Sequence, residues 1–120
     1  MGGGIFVVED DDDLRLVLVD LIQRATAREC LGLRTLADLR EQRDAVLRCA
    51  LGILDINLGS DEPSGLDAFA WLRAEQFSGR VVFLTGHAVT NPLVRRAGEM
   101  GNATVLAKPL QIQRLLELLS

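Results

Sequence analysis

The sequence predicts a single doubly wound α/β domain, a parallel sheet with helices on both faces. Two observations carry this. Short, unbroken apolar runs recur with starts about 20–30 residues apart, the length of one strand plus a crossover helix. The stretches between them carry apolar residues at helical spacing. Unbroken rather than alternating apolar runs are what strands buried on both faces require. Alternation of this kind implies right-handed crossovers, and 120 residues suffice for one such domain.

Residues 1–4, Met1 followed by three glycines, read as a flexible Gly-rich N-terminus, and residues 5–120 as the domain. The first strand is Ile5-Phe6-Val7-Val8. Leu14, Val17, Leu18, Leu21, Ile22 and Ala25 then form a stripe on one helix face, with Asp12 and Asp13 at its positively polarised start. Cys30–Leu33 is the second strand and the weakest, because Gly32 interrupts it. Thr35, with Asp38 three residues on, caps a helix over residues 36–48. Leu51-Gly52-Ile53-Leu54 is the third strand. Ser64 as N-cap and Asp67 in the first turn open a helix bearing Leu66, Phe69 and Ala70. Val81-Val82-Phe83-Leu84 is the fourth strand. Thr90 caps a helix with Pro92 in its first turn and Leu93, Val94, Ala97 and Met100 on its apolar face. Val105-Leu106 marks the fifth strand, and Ile112, Leu115, Leu116 and Leu119 the last helix.

Composition excludes several classes. With 48% hydrophobic and 25% charged residues, the chain is no disordered tail, collagen repeat or coiled-coil rod. No apolar run is long enough to span a membrane, and no signal peptide is visible. Thirteen basic residues against seventeen acidic give a net charge of −4, without the basic footprint of a nucleic-acid binder. Cys30 and Cys49 lack metal or disulfide spacing and read as small buried side chains in a reducing compartment. Twelve of the basic residues are arginine, and the one lysine, Lys108, precedes Pro109. A compact ammonium differs from a guanidinium where a point charge is wanted.

Ligands of such sheets bind beyond the carboxyl ends of the strands. Glu9-Asp10-Asp11-Asp12-Asp13 follows the first strand, Asp55 the third, Thr85 the fourth and Lys108-Pro109 the fifth. Crowded carboxylates raise one another's pKa or hold a cation. Mg²⁺ suits them, since it takes few carboxylates and accepts phosphate oxygens. A carboxylate beside such an ion can attack a phosphoryl group, while the Lys108 ammonium and Thr85 hydroxyl are suitable donors to its equatorial oxygens.

With these residues in place, the chain from Ile5 to Leu119 resembles the receiver domains of two-component response regulators, typified by the chemotaxis response regulator. The resemblance rests on the acid pair Glu9-Asp10 after Val7-Val8, Arg15 beyond it, Asp55, Thr85, Lys108-Pro109 and Gly101-Asn102-Ala103. It implies a flavodoxin-like (βα)5 fold of strand order 2-1-3-4-5. It implies that Asp55 accepts a phosphoryl group, that Thr85 and Lys108 hold its oxygens, and that Glu9, Asp10, Asp55 and the Asn57 carbonyl bind Mg²⁺. Asn57 and His87 would tune the lifetime of the phosphorylated state. The implied donors are a histidine kinase or a histidine phosphotransfer protein, and the implied output is a switched interaction with a downstream partner. The resemblance further implies a cytoplasmic, non-enzymatic module without direct nucleic-acid or membrane binding, and is compatible with homodimerisation.

Three departures stand out. Glu9 replaces the commoner Asp, and the loop from Asp55 to Gly65 is about two residues longer than usual. Val105 stands where an aromatic switch residue is general, and the chain has no tyrosine. A degenerate receiver acting as a phosphorylation-independent interaction module is the alternative, against which the intact Glu9, Asp10, Asp55, Thr85 and Lys108 argue. A phosphatase of the haloacid-dehalogenase type would want an acid at position 57, where Asn57 stands, and a longer chain.

Overall fold

Five short strands, β1 (Ile5–Val8), β2 (Cys30–Leu33), β3 (Leu51–Asp55), β4 (Arg80–Thr85) and β5 (Ala103–Ala107), form one sheet of order β2-β1-β3-β4-β5. Every neighbouring pair is parallel. The computed structural model describes residues 3–56, 65–86, 95, 103–107 and 112–119. Within these residues the helices are α1 (Asp12–Thr26), α2 (Leu36–Glu41), α3 (Arg43–Leu47), α4 (Gly65–Ala74) and α5 (Ile112–Leu119). The sheet order and the parallel pairing are those expected. The Ser64 cap and the helix expected after Thr90 lie outside the described residues.

The unbroken apolar strands are explained by two cores, one on each face. Phe6, Val8, Leu54, Val81 and Phe83 pack with Leu36, Leu39, Val46, Phe69 and Leu72 of α2, α3 and α4. Ile5, Val7, Ile53, Val82 and Leu84 pack on the other face with Leu18 and Ile22 of α1 and Leu115 of α5. Residues of β1 thus alternate between the two cores, and all four are at most 1% exposed. At about 2 kcal/mol per fully buried side chain, β1 alone contributes about 8 kcal/mol, which suits a strand with neighbours on both edges.

Three expectations are corrected. On α1, Leu18 and Ile22 are buried, but Val17 is 58% exposed, and Val19 packs on the core in its place. The stripe is rotated because α1 lies close to β2, where Val19 sits beside the bare backbone of Gly32. On α4, Ala70 faces outward, while Ala68 and Leu72 are buried. The single helix expected over residues 36–48 breaks at Gln42, whose ψ of 25° leaves the helical range. Arg40 and Arg43 stand where the stripe begun by Leu36 and Leu39 would continue inward. The break turns Val46 into the core and frees Arg43 to pair with Glu75.

Helix ends follow local chemistry. Thr35 caps α2 by accepting the Asp38 N–H at 3.2 Å, and Asp38 accepts the Arg34 N–H at 3.1 Å. After α4 the N–H of Phe77 donates to Leu72 and that of Gln76 to Arg73, with Gln76 at φ 65°. This Schellman turn delivers the Phe77 ring edge-on to Phe6, with 5.5 Å between centroids.

Both cysteines are free thiols; Cys30 is buried as expected, whereas Cys49 is only half-buried. Burial, with a smaller contribution from Cys49, pushes the Cys30 thiol up to about 11, and burial also raises Cys49. A raised thiol pKa favours the neutral form, so folding loses stability as pH rises above the unfolded value, not as it falls. Alkylation of Cys30 by iodoacetamide at pH 8 should be on the order of a hundredfold slower in the native protein than in denaturant, since the thiolate is the nucleophile. Equal rates in the two states would contradict this packing.

Candidate functional site

The site begins with the register of the two central strands. Val8 pairs with Leu54, so one step further along the chain Glu9 comes level with Asp55. Both are buried, at 0% and 4% exposure. The Glu9 N–H donates to Leu33 of β2, and the Ile56 N–H donates to Leu84 of β4, each at 2.9 Å. Glu9, Asp10 and Asp55 each bring a carboxylate oxygen within 4.8 Å of the others. Three carboxylates this close in a partly dry setting repel strongly, and the arrangement suits a hard cation.

The remaining acids of the run do other work. Asp11 is the N-cap of α1 and accepts the Leu14 N–H at 3.0 Å. Asp12 and Asp13 fill the first turn, near the positive end of the helix dipole, as expected. Arg15 bonds Asp12 at 2.6 Å and thereby holds its carboxyl below the usual range.

Asp55 is also braced from behind. A Cβ on Gly65, the first residue of α4, would stand 2.4 Å from the Asp55 carbonyl oxygen and 2.9 Å from its carbon. The Gly65 N–H donates to Ile56 at 2.9 Å. Only a glycine lets α4 start so close to the backbone of Asp55. Sequence reasoning noted Gly65 merely as a loop end, although a glycine between a long loop and a helix is itself a sign of close approach.

Thr85 ends β4, is 2% exposed, and pairs with Ala107 next to the strand carrying Asp55. Gly86 follows it with open space around its Cα. Val105 lies in β5 and packs against the core shared by α2, α3 and α4, so strand packing accounts for it. Among the expected site residues, Glu9, Asp10, Asp55 and Thr85 thus gather at one rim of the sheet. Asn57, His87, Lys108 and Pro109 lie outside the described residues.

A sequence model of the response regulator receiver domain matches residues 5–120. The chain belongs to this family. It is therefore a receiver domain of two-component signalling, from a family generally made of signalling modules rather than enzymes. Solved structures agree in fold. The signal receiver domain of a Vibrio parahaemolyticus protein superposes with a TM-score of 0.82 at 21% identity, covering 99% of this chain and 88% of that one. The chemotaxis protein CheY4 of Vibrio cholerae does so at 0.81 and 21% identity, covering 99% and 97%. The NtrX receiver domain of Brucella abortus gives 0.77 at 23% identity, covering 96% and 93%. Comparison with curated proteins gives no match. Among the described residues, no helix of the receiver domain is long and apolar enough to cross a membrane.

Two variants test this geometry. Gly65→Ala should destabilise by about 1–3 kcal/mol, read as a lower urea midpoint, because its Cβ meets backbone rather than a movable side chain. Asp10→Asn should stabilise the protein in chelator by about 1–2 kcal/mol through relieved repulsion. A thermal midpoint that falls in Asp10→Asn would show that the three carboxylates do not strain the fold.

Proposed function

We propose that this receiver domain accepts a phosphoryl group on Asp55 in a Mg²⁺-dependent reaction, from a histidine kinase or a histidine phosphotransfer protein in the cytoplasm. The observation that carries the reading is the convergence of Glu9, Asp10 and Asp55 on one point. Three hard oxygen donors fit Mg²⁺ better than a softer metal. Glu9, Asp10, Asp55 and the Asn57 carbonyl are the residues that would hold it. When bound, the ion offsets the repulsion among the carboxylates and the incoming phosphate.

The chain's own part is nucleophilic. A carboxylate oxygen of Asp55 forms the new O–P bond as the N–P bond of the phosphohistidine breaks, the imidazole nitrogen keeping the electron pair. Burial of Asp55 at 4% exposure limits water near the reacting atoms. The Thr85 hydroxyl and the Lys108 ammonium donate to the phosphoryl oxygens and hold them for the in-line displacement. Output to a downstream partner then rests on Thr85 and the backbone around Gly86. Val105 has no ring to swing and few χ1 choices, and it is already engaged in core packing.

Intact mass after incubation with Mg²⁺ and acetyl phosphate tests the proposal. Wild type should gain the mass of one phosphoryl group, and neither Asp55→Asn nor wild type in chelator should gain any. A wild-type protein that stays unmodified would favour the phosphorylation-independent interaction module instead.

A further inference from the structure

We infer that Arg15 is a positioning residue for the acid pair, fixing the turn at Glu9 and Asp10 so that their carboxylates face Asp55. The inference rests on the reading of the carboxylate cluster as a Mg²⁺ site.

The contacts are specific. Arg15 Nη1 donates to the backbone carbonyl of Glu9 at 2.9 Å, and Nη2 donates to Asp12 Oδ1 at 2.6 Å. One guanidinium therefore bridges the end of β1 and the first turn of α1, across the residues that supply two of the three carboxylates. The Glu9 backbone is held at both ends, its N–H by Leu33 and its carbonyl by Arg15. Its side chain is turned by a third bond, with Oε2 accepting the Asp11 N–H at 3.3 Å. Arg15 is 17% exposed against 63% for Asp12, so the guanidinium is largely shielded while its ion-pair partner is not.

The stem of the side chain runs along β2 beside Gly32. A Cβ built on Gly32 would lie 3.4 Å from Cγ and 3.5 Å from Cδ of Arg15, and 3.0 Å from Cγ2 of Val19. Even a Cβ there would be in ordinary contact with Arg15, so its aliphatic stem lies packed along the strand while its head reaches back six residues to Glu9. A long side chain held along its stem loses less freedom when its head forms bonds.

Charge alone gives the opposite expectation. A guanidinium next to a site for a divalent cation repels that cation, so its removal would tighten binding if proximity were all that mattered. Positioning predicts weaker binding instead. The sign of the change separates the two.

Mg²⁺ affinity is measured by isothermal titration calorimetry on wild type, Arg15→Met and Arg15→Lys, alongside thermal midpoints in chelator. Methionine keeps much of the stem and removes the fork. Arg15→Met should raise the Mg²⁺ Kd on the order of tenfold, as loss of an outer-shell partner does, and Arg15→Lys should fall between it and wild type. An Arg15→Met Kd equal to or below that of wild type overturns the inference, including the case in which only the thermal midpoint drops. If Arg15→Met does not fold, Arg15→Lys decides by the same criterion. A wild-type protein that binds no Mg²⁺ defeats the metal reading itself and the inference with it, an outcome distinct from failure of the variants alone.

Discussion

Carboxylates whose oxygens lie within 4.8 Å of one another, two of them on buried residues, oppose folding at the point where β1 and β3 end. At an effective dielectric near 20, each such pair costs about 3 kcal/mol when both members are charged. The three pairs together cost about as much as the four residues of β1 return through burial on both faces of the sheet. The apolar strands and the acidic rim are therefore one design. A chain of this size can keep an electrostatically strained cluster only by anchoring it to its best-buried strands.

The acid run shows how finely position divides labour among like residues. Glu9 and Asp10 leave the strand toward the cluster, Asp11 turns to cap α1, and Asp12 engages Arg15. Over four residues the partner passes from the cluster to a helix end to an ion pair, and the chain from buried Glu9 to exposed Asp12. The charge of the run is thus spread over a helix terminus and an ion pair, and only part of it bears on Asp55.

Much of this was legible in the sequence. The strands, the Thr35 cap, the convergence of Glu9, Asp10 and Asp55, and Thr85 at the end of β4 follow from patterns that neighbouring residues set locally. What escaped depends on distant contacts. Val17 fits the helical stripe on α1, but which face of that helix is buried depends on its seat against another strand, where Val19 lies beside Gly32. Helix continuity through Gln42 is locally reasonable and is lost because Arg40 and Arg43 cannot follow the stripe inward. The tight seat of Gly65 on Asp55 joins residues ten apart, across a loop whose path periodicity does not specify.

That seat sets the start of α4. The helix starts against the Asp55 carbonyl, with no side chain between to cushion it, and carries the chain's one tryptophan at position 71. Six residues of helix set Trp71 about 9 Å further along the axis, partly buried against the core beneath α4. With no tyrosine in the chain, the domain's intrinsic emission comes from one indole, placed on the helix that starts against the Asp55 backbone.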